Sequence, residues 1–229
     1  VARVSVATAS STARSGYAAV VLAGGAARRM GGVDKPGVPV GGRPLRDRVL
    51  AAVADATPRV LVGPPPPDID PSAPDTGLSA PDTGPLAGVW VTREEPAGGG
   101  PVAAASAGLA LLGADVPVVA LLAADLPFLT PDAVTALRRG LADGTADGVC
   151  YRDAGGRRQS LCGVWRVPAL RAALDRLAGE RGGSLAGASV RTLLAGLTVV
   201  DLPWAGTGPP PWFDCDTDED VRRAEEWAR

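Results

Sequence analysis

The sequence predicts a single Rossmann-like three-layer α/β/α domain around a mostly parallel sheet. Short β-branched runs alternate with longer Ala, Leu and Arg segments, the pattern of βα units. At 229 residues, 46% of them hydrophobic, the chain is long enough for one sizeable core and short for two. Its longest apolar run, Val116 to Ala124, has the length of a strand. No run approaches the roughly 18 residues that cross a bilayer.

The strands read from these runs are Ala18 to Leu22, Arg59 to Val62, Val89 to Thr92, Val118 to Ala123, Gly148 to Tyr151, Gln159 to Trp165 and Thr198 to Leu202. Helices fit Pro44 to Ala54, Val102 to Leu112, Pro131 to Ala142, Ala169 to Leu177, Val190 to Leu194 and Asp218 to Arg229. Thr130 before Pro131 suits an N-cap followed by proline at the first helical position. Thr217 and Asp220 have the spacing of a capping box. Asp153-Ala154-Gly155-Gly156 turns the chain between two antiparallel strands. Residues 63–88 are rich in Pro and Gly and hold a near-duplicate, SAPDTGL at Ser72 and SAPDTGP at Ser79, which reads as a slipped repeat in a tolerant surface loop. Residues 1–16 are small and polar with scattered arginines and lack the apolar stretch of a secretory signal. They read as a disordered leader to a domain at 17–229, or as the product of too early a start.

With 25 acidic and 23 basic residues the chain carries no broad field for nucleic acid or an anionic membrane, so neither is expected as a partner. Cys150, Cys162 and Cys215 are odd in number and widely spaced, which fits a reducing cytoplasm better than a disulfide framework or a zinc site. There is no histidine. Lys35 is the only lysine among the 23 basic residues. Where a generic cation suffices this sequence uses arginine, so one retained ammonium points to a geometry that a planar guanidinium cannot supply.

That lysine closes the strongest motif, LAGGAARRMGGVDKP at Leu22 to Pro36. An apolar strand empties into a loop with paired glycines, two arginines and a lysine. Glycines let backbone N–H groups approach phosphate oxygens, and the cations supply charge for a triphosphate. The spacing is neither that of a P-loop, since Pro36 follows Lys35, nor G-x-G-x-x-G, since Gly24-Gly25 leads into Ala26-Ala27-Arg28.

LAGG followed by ARRMGGVDK resembles the signature loop of the MobA-like nucleotidyltransferases, and the resemblance extends from about Tyr17 to Arg229. GGGPVAAASAGL (Gly98 to Leu109) resembles the family's G-P-L-x-G loop and helix. LLAADLPFL (Leu121 to Leu129) resembles its strand ending in D-x-P, and WFDCDTDEDV (Trp212 to Val221) its closing N-x-N-T-P-E-D-L segment. GPLAG at Gly84 to Gly88 spells the glycine loop more literally, but it precedes the third strand, whereas the family loop follows that strand, as Gly100-Pro101 does.

The resemblance implies a nucleotide-diphospho-sugar-transferase-like fold. It also implies an enzyme that moves GMP from GTP to the terminal phosphate of molybdenum-molybdopterin, releasing pyrophosphate. It leaves room for transient contact with molybdenum cofactor carriers or acceptor enzymes. Carried over by position, Leu22, Ala23, Gly24, Gly25, Lys35, Glu95, Gly100, Pro101 and Asp125 would bind the nucleotide. Lys35, Arg29 and Asp125 would act in catalysis, and Asp125 with Asp216 would hold Mg²⁺. Of the adjacent Arg28 and Arg29, one is expected to face solvent. Glu95 is the expected reader of guanine, with Glu94 facing solvent.

Plainer roles stand beside these. Asp125 could cap the turn before Pro127, Glu94-Glu95 could form an exposed acidic turn, and Arg157-Arg158-Gln159 could simply begin a strand rather than touch a pterin. The chain departs from the family's pattern with Asp214 and Asp216 where many relatives have Asn, Asp218 for the usual Pro, and Gly63 where some offer an Asn to the nucleotide. An added carboxylate can ligate Mg²⁺ but also repels a triphosphate. Transfer of CMP rather than GMP stays open, although LAGG rather than LAAG leans toward guanine. A nucleotide-binding module without turnover is a further alternative, against which Lys35 and Asp125 argue.

Overall fold

The structure is a computed structural model that describes residues 16–24, 35–64, 86–142 and 144–229. Gly25, Arg28, Arg29, residues 1–15 and the Ser72 duplication lie outside the described residues. In chain order the strands are β1 (Ala18–Leu22), β2 (Pro39–Val40), β3 (Arg43–Pro44), β4 (Arg59–Val62), β5 (Val89–Thr92), β6 (Val118–Ala123), β7 (Gly148–Arg152), β8 (Arg158–Arg166) and β9 (Val199–Pro203). The helices are α1 (Leu45–Ala52), α2 (Pro101–Ala110), α3 (Pro131–Ala142), α4 (Val167–Glu180), α5 (Val190–Leu193) and α6 (Asp218–Trp227).

Seven strands form one sheet in the order β5-β4-β1-β6-β8-β7-β9. β1 pairs in parallel with β4 and β6, and β4 with β5. β8 runs antiparallel to both β6 and β7, and β9 returns parallel to β7. β8 is reversed because it follows β7 through the expected tight turn, where Gly156 N–H donates to the Asp153 carbonyl at 3.0 Å and Arg157 N–H to Asp153 Oδ1 at 2.8 Å.

All five residues of β1 are buried, as a central parallel strand covered on both faces requires. Ala19 and Val21 pack with Val49 and Leu50 of α1 and Val134 and Leu137 of α3. Ala18, Val20 and Leu22 pack on the other face with Val102 of α2, Leu170 of α4 and Leu193 of α5. This is the three-layer core that the alternating runs predict. A third, smaller cluster joins Val40, Leu45, Cys215 and Ala224 with Phe128, Phe213 and Val221, and seats α6 against the β2–β3 ribbon.

The cap signals operate as read. Thr130 Oγ1 accepts the Ala133 N–H at 3.1 Å, and Thr217 and Asp220 form a reciprocal capping box. α4 begins at Val167, two residues before the expected start, because Pro168 falls in its first turn, where no amide hydrogen is needed. The β2–β3 ribbon is a correction: Pro44 was expected to open a helix but ends a hairpin whose Gly41-Gly42 turn has φ of 56° and 73°, a conformation glycine adopts freely.

Candidate functional site

The parallel strands end on one edge, and their ladder continues past the strands. Ala23 N–H donates to Val62 O at 2.7 Å, Gly63 N–H to Thr92 O at 2.9 Å and Ala124 N–H to Leu22 O at 3.0 Å. The segments after β1, β4 and β6 are thereby tied to the ends of their neighbouring strands, at the edge where open α/β sheets bind their ligands.

Lys35 opens a single 3₁₀ turn, Lys35–Gly37, that leads into the ribbon. Its Nζ lies 2.5 Å from Asp125 Oδ2 and 2.5 Å from Asp216 Oδ1. Asp125 follows β6, and Asp216 arrives on the closing segment, which is tied down where Cys215 N–H donates to the Asp125 carbonyl at 3.2 Å. Three residues singled out by type and motif, from widely separated parts of the chain, thus meet at one ammonium. Burial lowers the Lys35 pKa, but Asp125 and then Asp216 outweigh it and hold the group above its ordinary value. Asp214 sits beside them, and desolvation followed by repulsion from Asp216 and Asp125 lifts its carboxyl above the usual carboxylate range.

Asp125 Oδ1 is buried with no hydrogen-bond partner among the described residues. Among those residues no group of three or more Cys, Asp or Glu side chains forms a ready-made metal cage. The pair Asp125 and Asp216 nevertheless suits a hard divalent cation: two carboxylates converge on one positive charge, and one oxygen is left over.

The acidic pair after β5 is reversed from expectation. Glu94 is buried, 6% exposed, whereas Glu95 faces solvent. Glu94 Oε1 accepts the Gly98 N–H at 3.0 Å, which pins the side chain inward, and the next residue then points out. Glu94 Oε2 is buried without a partner among the described residues. The carboxylate lies over Gly24, where an added Cβ would come 3.3 Å from Oε1. Gly63 packs more closely still: a Cβ there would meet the Ala23 and Gly24 backbone at 2.8 and 2.9 Å. With this backbone no asparagine fits at that position.

Gly100 and Pro101 stand where the motif puts them, as N-cap and first residue of α2, with Gly100 at φ 92°. Leu22 and Ala23 are 6% and 8% exposed, so only their main chain can serve a ligand. The GPLAG alternative lies before β5: Leu86 to Gly88 form the turn into that strand, and Gly84 and Pro85 lie outside the described residues.

Beyond Asp125 opens a cavity of about 1090 Å³ lined by Arg157, Arg158, Gln159, Arg191, Trp212 and Asp214, among others. It sits beside an irregularity of β8. Cys150 pairs with Gly163, but the next residue, Tyr151, pairs with Gln159, which leaves Ser160, Leu161 and Cys162 without partners on β7. Of the RRQ segment only Arg158 and Gln159 belong to the strand. Arg191 carried no motif, and Trp212 opened the closing motif with no role assigned to it; a pocket assembled from α5, β8 and the closing segment is a tertiary property.

The sheet order and the shared carboxyl edge define a three-layer α/β protein of the nucleotide-diphospho-sugar-transferase type. The chain belongs to the MobA-like NTP transferase domain family, whose model matches residues 19–197. It is 30% identical over 215 residues to the molybdenum cofactor guanylyltransferase of Nitrobacter hamburgensis, covering 91% of this chain and 93% of that one. The fold is shared with the molybdopterin-guanine dinucleotide biosynthesis protein A of Archaeoglobus fulgidus, at a TM-score of 0.65, 23% identity and coverage of 91% and 97%. It is shared also with the 2-C-methyl-D-erythritol 4-phosphate cytidylyltransferase of Thermus thermophilus, at a TM-score of 0.63, 19% identity and coverage of 93% and 99%. No helix among the described residues is long and apolar enough to cross a membrane.

Proposed function

We propose that this protein transfers GMP from GTP to the terminal phosphate of molybdenum-molybdopterin, with release of pyrophosphate, in cytoplasmic molybdenum cofactor biosynthesis. The observation that carries the reading is Lys35 bridging Asp125 and Asp216 at the carboxyl edge of the sheet, in a chain similar along most of its length to a molybdenum cofactor guanylyltransferase. We take residues 17–229 as the catalytic domain.

The chemistry needs no histidine, and the chain has none. The acceptor's phosphate is anionic at neutral pH, so its oxygen attacks the α-phosphorus of GTP without a base. The new P–O bond forms as the bond to the β-bridging oxygen breaks, and that electron pair leaves with pyrophosphate. Catalysis is then alignment and charge neutralisation. Lys35 supplies a compact positive charge for the phosphates, with Arg29 of the glycine-rich loop assigned the same task. The backbone of Leu22 to Gly24 and of Gly100 lines the approach of the nucleotide, Gly25 is assigned to the nucleotide by its motif alone, and Glu94 takes over from Glu95 as the proposed acceptor for guanine. Asp125 and Asp216 would hold Mg²⁺, whose contribution is to neutralise phosphate oxygens as a Lewis acid.

Because cytidylyl transfer runs on the same fold in a relative, nucleotide choice is the point to test. Incubation with molybdopterin, Mg²⁺ and each of GTP, CTP and ATP should release pyrophosphate fastest with GTP. Fastest release with CTP would replace guanylyl by cytidylyl transfer, and no release with any nucleotide would reduce the protein to a binding module.

A further inference from the structure

The cavity beside Asp125 is lined by charges of both signs. Asp125, Asp214 and Asp216 border it, and so do Arg157, Arg158 and Arg191. The three arginines are not equivalent. Arg158 is engaged, its Nε donating to Asp201 Oδ1 at 2.6 Å. Arg157 and Arg191 are exposed, and their guanidinium groups have no hydrogen-bond or ion-pair partner among the described residues.

The backbone that presents these two groups is nonetheless firmly held. Arg157 is fixed by main-chain bonds of its own N–H and carbonyl to Asp153. Arg191 sits in α5, which is capped by Ser189 Oγ accepting the Thr192 N–H at 3.0 Å and anchored by the fully buried Leu193. Two cations on fixed supports from separate elements thus line one cavity, and neither guanidinium is used by the fold among the described residues. Trp212, packed at 5.2 Å between ring centroids against Tyr151, adds an aromatic surface to the same cavity.

An acceptor anchored only by the phosphate that attacks would leave both guanidinium groups to solvent. We infer that Arg157 and Arg191 bind a second anionic group of the acceptor, distinct from that phosphate, and that this group is the oxo-molybdenum dithiolene. The inference rests on the guanylyl-transfer reading above. Planar guanidinium forks donate paired N–H bonds to neighbouring anionic oxygen or sulfur atoms, and the molybdenum-oxo group adds such oxygens to the sulfurs that the metal-free form also carries. Arg157 and Arg191 thereby select the molybdenum-loaded acceptor over the metal-free one, while the neutral pterin ring lies against Trp212.

Titration calorimetry with molybdenum-loaded and molybdenum-free molybdopterin tests this on wild type, on Arg157→Gln/Arg191→Gln and on Arg157→Lys/Arg191→Lys, with GTP binding as the control. Wild type should bind the loaded form about tenfold more tightly, the worth of roughly one charge-assisted contact. The glutamine variant should bind both forms alike, the lysine variant should recover part of the preference, and GTP affinity should stay unchanged in all three. Equal binding of the two forms by wild type, an undiminished preference in the glutamine variant, or a parallel fall in GTP affinity would overturn the inference. If wild type binds neither form, the guanylyl-transfer reading falls with it; if wild type prefers the loaded form and the glutamine variant does too, only this inference falls.

Discussion

Lys35 Nζ lies 2.5 Å from Asp125 Oδ2, across a separation of 90 residues in sequence, and holds the glycine-rich loop's exit against the end of β6. The ammonium meets Asp216 at the same distance. A guanidinium is wider and planar and cannot sit at one point between two carboxylates. Lys35→Ala should lower turnover by about 10²–10³-fold, the usual worth of one preorganised transition-state contact. Lys35→Arg should not restore it. Steady-state pyrophosphate release decides, and full activity in the arginine variant would show that charge alone matters.

Asp125→Asn keeps the shape of the side chain and its acceptor toward Lys35 but weakens a carboxylate that has one buried oxygen without a partner among the described residues. The variant should fold as wild type does and need a higher Mg²⁺ concentration for half-maximal activity. A Mg²⁺ titration beside a thermal melt separates the outcomes. Ready unfolding with an unchanged metal requirement would make Asp125 a turn residue only.

The charged triad rests on a small aromatic support. Trp227 packs on Phe128 at 5.6 Å and on Phe213 at 5.0 Å between ring centroids, and these phenylalanines lie three residues from Asp125 and Asp216 respectively. Trp227→Ala removes two ring contacts worth roughly 0.5–1.5 kcal/mol each and should destabilise the domain by about 1–3 kcal/mol. It should also raise the Mg²⁺ requirement, because the segments carrying Asp125 and Asp216 lose their common backing. Denaturant melts and a metal titration on the same variant check both parts; normal metal dependence would show that α6 supports stability alone.

The three cysteines are buried, and burial pushes the Cys150 thiol up to about 11 and Cys215 up to about 12. Alkylation by iodoacetamide near pH 8 should therefore be slow in the folded protein and fast after denaturation. Mass spectrometry of the quenched reaction reads the difference, and rapid native labelling would mean that one of these thiols opens to solvent.

β1, β4, β5 and β6 have the bounds expected from their apolar runs, because β1, β4 and β6 are largely buried along their length and β5 pairs residue by residue with β4. The β2–β3 ribbon escaped because two-residue strands carry no periodicity, although Gly41-Gly42 marked the turn. Lys35, Asp125 and Asp216 were legible as motif positions, since the motifs report residues that must converge whatever the spacing between them. Which of Glu94 and Glu95 turns inward was not legible: it depends on one hydrogen bond from Gly98 at the end of the turn. That Arg191 and Trp212 share a cavity was hidden for a similar reason, because it depends on how α5 and the closing segment come to lie beside β8.

That reversal fixes the most specific test of nucleotide choice. Guanine offers two neighbouring donors, the N1 and N2 hydrogens, on its Watson–Crick edge, whereas adenine and cytosine each present an acceptor there. Glu94 has one oxygen committed to Gly98 and one buried oxygen without a partner among the described residues, beside the Gly24 backbone at the edge where a nucleotide would enter. A buried acceptor left unpaired by the wrong base can discriminate by as much as ~10⁴, because its desolvation is then uncompensated. Glu94→Gln retains a carbonyl oxygen for Gly98, so the turn should survive, but the amide places a donor where the carboxylate offered an acceptor. Relative turnover with GTP, CTP and ATP should therefore show a sharply reduced preference for GTP in Glu94→Gln, with a thermal melt near that of wild type. Glu95→Gln, changed at an exposed position, should keep the wild-type preference. If instead Glu95→Gln narrows the preference and Glu94→Gln leaves it intact, guanine is read from the outer side of this turn and the buried carboxylate serves the fold alone.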